Sequence, residues 1–257
     1  MMSTGPWDEI ANITKIKPQG KMYEKTPWYT IFRLVLAPLI RSIMRVDYVG
    51  LKNIPRNKHA IFAANHLSHI DPILVIAGAR RKLHYMAKDE HFKHFHSRIV
   101  MKTTGQIPTH REAGGLDALA SASAMLNRGH SLGIFPEGTR SRAQEPPFLQ
   151  KGKTGIARLA SSYPELPIIP IAIRGSREWM TPKKHKIPRI WRKMTVTYGI
   201  PITWNEWIVS KKGGGMTINE IDQLQKLDEK ERENEIRKLQ RKFTNQFMNS
   251  IKMTGAP

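Results

Sequence analysis

The segment Asn65-His-Leu-Ser-His-Ile-Asp71 holds the side chains best suited to acid–base chemistry, a histidine and an aspartate five positions apart. On one helix His66 and Asp71 would stand about 140° apart and could not pair. The preceding run from His59 to Asn65 reads as a strand, and Asp71-Pro72 as the opening of an apolar helix. A short loop would then fold His66, at the strand exit, onto Asp71 as the helix N-cap. A neutral imidazole oriented by a carboxylate takes a proton from an alcohol, so the nucleophile would be a substrate's own hydroxyl. The same residues also fit a plain helix cap, with Pro72 at the first position, beside an ordinary polar histidine.

A second chemistry-bearing segment is Ser131-Leu-Gly-Ile-Phe-Pro-Glu-Gly-Thr-Arg-Ser-Arg142, a strand that empties into a loop with Lys151 and Lys153 close behind. Glycine lets backbone N–H groups approach an anion, and an arginine fork suits phosphate oxygens. Upstream, Gly105-Gln-Ile-Pro-Thr-His-Arg111 brings another arginine after a glycine turn. Each segment taken alone also fits a solvated basic loop.

Taken in order, Asn65-His66…Asp71, Gly105…Arg111, Phe135-Pro-Glu-Gly-Thr-Arg140 and Ile169-Pro-Ile171 resemble the four blocks of the glycerolipid acyltransferases, most nearly the 1-acyl-glycerol-3-phosphate acyltransferases. The resemblance implies a glycerol-phosphate acyltransferase-like α/β fold, a mixed central sheet flanked by helices. It implies an acyl thioester donor, carried by coenzyme A or acyl carrier protein, and a phosphate-bearing lysolipid acceptor, with no metal or other cofactor. Position by position, His66 would be the general base and Asp71 its partner. Arg111, Glu137, Gly138, Thr139 and Arg140 would be the acceptor-binding set, with Glu137 orienting an arginine or the glycerol hydroxyl because it cannot itself attract phosphate. Ile169, Pro170 and Ile171 would line the acyl or donor channel. One departure is His69, where many family members carry tryptophan, which puts the packing beside the base in question.

The elements that must position these residues alternate between β-like and helix-like runs, the pattern of an α/β domain. Strands are expected near His59–Asn65, Lys82–Ala87, Ser131–Phe135, Ile168–Arg174 and Met194–Tyr198, and helices over Pro72–Ala79, Leu116–Asn127 and Thr154–Ser162. Residues 1–26 read as a polar tail, 27–46 as amphipathic interfacial helix, 47–210 as the acyltransferase domain and 211–257 as a hinge and C-terminal helix. In Pro27–Met44, Arg33 and Arg41 confine the uninterrupted apolar stretch to Leu34–Ile40, short of the roughly 20 residues a spanning helix wants. Trp28, Phe32, Leu36, Leu39 and Ile43 would form an apolar face, with Arg33, Arg41 and Arg45 towards lipid headgroups and Pro38 kinking or splitting the helix.

The absence of cysteine excludes disulfides and thiolate chemistry. Forty-two basic against twenty-one acidic residues leave a formal charge of +21, which draws the chain to polyanions. Residues 217–252 hold eight basic and seven acidic side chains, so the excess lies on the part that carries the motifs. The run Thr181–Lys193, with Lys183, Lys184 and Trp191, is expected to dock on an anionic membrane; no zinc spacing or established nucleic-acid signature accompanies it. With no basic-then-apolar leader at Met1, a peripheral or monotopic place on the cytoplasmic face is expected. Gly129-His-Ser-Leu-Gly133 matches a serine-hydrolase nucleophile motif, but that motif needs a strand before the serine and a helix after it. Here a helix-like run closes at Gly129 and a strand follows.

Overall fold

The computed structural model describes residues 5–19, 26–88, 98–99, 101, 104–109, 115–179 and 188–257. Among these residues seven strands, β1 (Val46–Val49), β2 (Ile61–Ala64), β3 (Leu83–Lys88), β4 (Ile107–Thr109), β5 (Ser131–Ile134), β6 (Ile168–Arg174) and β7 (Met194–Tyr198), lie in the order β1-β7-β6-β2-β5-β3-β4. Strands β2 to β6 run parallel, and β7 turns antiparallel to β6 and takes β1 with it. The sheet is therefore mixed. All four residues of β2 and of β5 are buried, as expected for parallel strands covered on both faces.

Alternation along β2 divides the core. Ile61 and Ala63 join Leu119, Ile156, Leu159 and Phe243 on one side of the sheet, and Phe62 and Ala64 join Leu74, Val75 and Ile40 on the other. The five expected strands and three expected helices are all present. The short edge strands β1 and β4 and the helix Trp204–Val209 were not foreseen.

Residues 1–26 are not simply a polar tail. Asp8–Thr14 is a helix packed on the helix Gly155–Ser162, and Trp7 and Ile10 are fully buried. The Trp7 ring lies 5.3 Å from that of Trp204, and its backbone N–H donates to Asn205 Oδ1 at 3.2 Å. The segment is polar on average, but burying one tryptophan removes on the order of 200 Å² from water, roughly 5 kcal/mol before ordering costs.

The 27–46 segment is helical over Pro27–Ile31 and Ala37–Ile43, joined by a π-helical stretch at Phe32–Leu36. That widening ends just before Pro38, whose ring would otherwise strike the Leu34 carbonyl and which has no N–H to give it. Tyr29, Ala37, Ile40 and Met44 pack inward on the domain. Ile31, Leu34, Val35, Leu39 and Ile43 stand 48–63% exposed as an outward apolar ridge; the side chains of Trp28 and Phe32 lie outside the described set. Arg33 and Arg41 do not reach outward as expected. Their guanidinium groups donate to the Arg80 carbonyl at 2.7 Å and the Ala77 carbonyl at 3.2 Å. The Ala77 carbonyl in the last turn of the helix Asp71–Ala79, and that of Arg80 just past its end, lie at the negative end of the helix dipole, which holds the two arginines there. Among the described residues no helix is long and apolar enough to cross a membrane.

The 211–215 stretch, expected as a hinge, is a hydrogen-bonded turn. Gly213 and Gly214 donate to the Ser210 and Trp207 carbonyls at 2.8 Å, and a Cβ on Gly213 would fall 2.3 Å from the Trp207 carbonyl oxygen. Close packing requires glycine here. The helices Ile218–Lys226 and Glu229–Met253 follow, the latter burying Ile236, Phe243, Phe247 and Ile251.

Candidate active site

The site forms where β2 and β5 end. Asn65, fully buried, extends the β2–β6 pairing with its side chain: Nδ2 donates to the Ile173 carbonyl at 3.0 Å and Oδ1 accepts from the Ile173 N–H at 2.7 Å. This fixes the point at which His66 leaves the sheet. The backbone of His66 is held from both sides, its N–H donating to Glu137 Oε1 at 2.7 Å and its carbonyl accepting from the Ser141 N–H at 2.9 Å.

His66 Nδ1 lies 2.9 Å from Asp71 Oδ2, which also accepts the Leu67 and Ser68 amides at 2.6 and 2.7 Å. Asp71 is completely buried, whereas the His66 side chain keeps 17% of its surface exposed. A carboxylate surrounded by donors keeps the imidazole proton on Nδ1, leaving Nε2 with a lone pair as base. Asp71 is not the N-cap foreseen: it is the first helical residue, and its carboxylate turns back to the loop. Pro72 has no N–H for a cap to accept, and the loop amides bring better donors.

The ring is held flat by Phe135, stacked at 3.9 Å between centroids and 11° between planes, with Tyr85 stacked 5.2 Å beyond. In the sequence Phe135 stands out only as part of the Phe135–Arg140 block, and its place two residues before Glu137 is the signal for its role. His69, the departure from the family pattern, is exposed, so packing on the base comes from Phe135 instead.

Glu137 differs most from expectation. It is 2% exposed, and its second oxygen accepts the Gln150 N–H at 3.0 Å, so the backbone amides of His66 and Gln150 take both oxygens. Burial pushes its carboxyl up to about 7; the two amides pull it down and Asp71 adds to the rise. Gly138 takes a left-handed φ of +72°, and a Cβ there would press on the Lys153 side chain at 2.8 Å. Arg140 is half-buried and makes no hydrogen bond or ion pair among the described residues. Burial lowers its guanidinium below the ordinary range, Asp71's charge partly restores it, and Arg142 lowers it further. Arg140 is thus a cation within the electrostatic reach of Asp71, beside the half-buried Thr139. Arg111, Lys183 and Lys184 lie outside the described residues.

Ile169, Pro170 and Ile171 form the buried middle of β6. Ile169 and Ile171 pack with Phe62 and Leu74, so in this structure they act as core rather than as the wall of an open channel. Ser131 starts β5, at the far end from Glu137, and its hydroxyl accepts the Ala60 N–H at 3.2 Å. The helix-then-strand order around it is the reverse of a nucleophile elbow.

A buried carboxylate, a partly exposed histidine and a nearby arginine at the ends of parallel strands form an arrangement that can activate a hydroxyl next to an anion. Residues 45–174 match the family model "Acyltransferase", and the chain belongs to that family. It is 30% identical over 131 residues to a 1-acyl-sn-glycerol-3-phosphate acyltransferase of Bacillus subtilis, a match covering 51% of this chain and 63% of that protein. A Borreliella burgdorferi protein of the same name is 29% identical over 116 residues, 44% of this chain and 46% of its own. The matched stretch thus spans about half to two thirds of these relatives. The crystal structure of the LPA acyltransferase PlsC from Thermotoga maritima shares the fold, with a TM-score of 0.51 and 21% identity over 76% of this chain and 82% of that one.

Proposed function

We propose that the protein transfers a fatty acyl group from an acyl thioester to the free hydroxyl of 1-acyl-glycerol 3-phosphate, forming phosphatidic acid. The 2.9 Å contact between His66 Nδ1 and the buried Asp71 carboxylate carries this reading, and the names of the relatives supply the substrate class. His66 Nε2 takes the hydroxyl proton as the acceptor oxygen attacks the thioester carbonyl carbon. The C–O bond forms, the C–S bond breaks, and the departing thiolate takes the proton back from the imidazolium, which Asp71 stabilises meanwhile. Arg140, with Gly138 and Thr139 beside it, holds the acceptor phosphate so that the hydroxyl meets His66. The donor is acyl-coenzyme A or acyl carrier protein, and no other cofactor enters the scheme.

The same reading seats the protein on a membrane through the outward ridge of the Pro27–Ile43 helix. That helix ends at the catalytic end of the sheet, where the Met194 N–H meets the Arg45 carbonyl at 2.8 Å. Trp191, 60% exposed, stands three residues before Met194. Amphipathic helices with flanking basic residues lie in the interface this way.

His66→Ala is expected to lower transfer by about a thousandfold with an unchanged circular dichroism melt, assayed with both donors against lysophosphatidate and glycerol 3-phosphate. Turnover near wild type would overturn the reading.

A further inference from the structure

At the end of the sheet where β2, β3 and β5 begin, opposite His66, an open groove of ≈ 800 Å³ is lined by the 51–59 loop, the last turn of the Asp71–Ala79 helix and the turn before β5. Among the described residues no acidic side chain lines it. Its cations are of two kinds. Arg81 donates to the Pro55 and Lys58 carbonyls, and Lys82 to Thr26, so both are occupied in building the groove. The side chains of Lys52, Arg56, Lys58 and Arg80 are exposed and make no hydrogen bond or ion pair among the described residues. His130, on the groove wall, is held below the ordinary histidine range by burial first, then by the positive charges of Lys82 and Arg128 and by His59.

The groove adjoins the apolar ridge. Arg33, one residue from Leu34, bonds the Arg80 carbonyl at 2.7 Å, and Arg80 is part of the groove wall. An apolar stripe rimmed by unpaired cations fits a surface that is apolar inside and negative outside. We propose that this groove is a headgroup site for anionic phospholipids, engaging their phosphates through Lys52, Arg56, Lys58 and Arg80 while the ridge enters the bilayer. The proposal rests on the membrane reading above and adds a site remote from the catalytic pair. The long Pro27–Ile43 helix would then lie along the membrane with the groove at one end and the catalytic mouth at the other, so preference for anionic lipid is set away from the acceptor pocket.

The test is cosedimentation of the full chain with phosphatidylcholine vesicles, with and without phosphatidylglycerol. The variants are Lys52→Gln/Arg56→Gln/Lys58→Gln/Arg80→Gln and, separately, Leu34→Ser/Val35→Ser. Anionic lipid should tighten binding of wild type, and the fourfold variant should lose roughly three orders of magnitude of that affinity while keeping its melt and its activity on detergent-dispersed substrates. The ridge variant should weaken binding to both kinds of vesicle. Wild type that ignores every vesicle overturns the membrane reading and the groove together. A fourfold variant that binds anionic vesicles like wild type overturns the groove alone, including the case in which its charge serves an acidic protein. Displacement of wild type by inorganic phosphate beyond that by chloride at equal ionic strength would make it a free-phosphate site, and would also overturn the lipid assignment.

Discussion

Glu137 lies within one hydrogen bond of His66, and in its buried setting each of its oxygens already accepts a backbone amide, that of His66 or of Gln150. It therefore acts through His66, fixing the backbone from which the imidazole reaches Asp71. Glu137→Gln puts an NH₂ against one of those amides, so the loop must shift. Turnover is expected to fall ten- to hundredfold, roughly the effect of a sub-ångström to 1 Å misplacement, with acceptor KM little changed; a rise in KM at constant kcat would mark direct acceptor binding instead. Stability adds a second readout. The carboxyl titrates at about 7 in the fold against an ordinary 4.5, so the folded state holds the proton more tightly. Its contribution is fully present below about 4.5 and is lost as pH rises to about 7, on the order of 3 kcal/mol. The melting temperature of wild type relative to Glu137→Gln should fall across that window. The contact between His66 and Asp71 was legible in the sequence because the types and order of these residues are specific. The role of Glu137 was not, since a carboxylate's partners here are backbone amides that leave no mark on side-chain sequence.

Secondary elements were legible where burial is two-sided and obscure where it is not. The apolar runs of β2, β5 and β6 announce central strands, whereas β1 and β4, four and three residues long, are too short for a period to show. In the Pro27–Ile43 helix the position of Pro38 foretold a break, and the chain widens a turn to absorb it. The same helix concealed the direction of its arginines, because spacing says which side they share but not whether that side meets lipid or another helix. Arg33 and Arg41 bind carbonyls near the end of the Asp71–Ala79 helix, the element that begins with Asp71. Arg33→Ala/Arg41→Ala should cost about 1–2 kcal/mol through the lost charge-assisted bonds, measured by urea unfolding. Vesicle affinity should change far less than in the groove variant. A large loss of vesicle binding at unchanged stability would return these arginines to the headgroup layer.

Across the whole molecule, the sheet separates two apolar layers that do different work. The layer holding Phe62, Leu74 and Tyr85 supports the His66 loop and the outward ridge, while the opposite layer joins the first and last helices of the chain around Trp204 and Phe243. Composition alone did not expose that junction: residues 1–26 are polar in sum, and two buried side chains outweigh the average. Trp7 lies 5.3 Å from Trp204, which in turn lies 5.2 Å from Phe243, so removing the first ring leaves a hole that the others cannot close without moving both helices. Trp7→Ala is expected to cost about 3–5 kcal/mol, read as a lower urea midpoint. Because the lost contacts lie across the sheet from the His66–Phe135–Tyr85 stack, kcat per folded molecule should remain near wild type below the transition. A proportionate loss of kcat with no change in midpoint would mean that the two layers are coupled through the sheet, and that the N-terminal helix reports to the catalytic loop rather than only stabilising the fold.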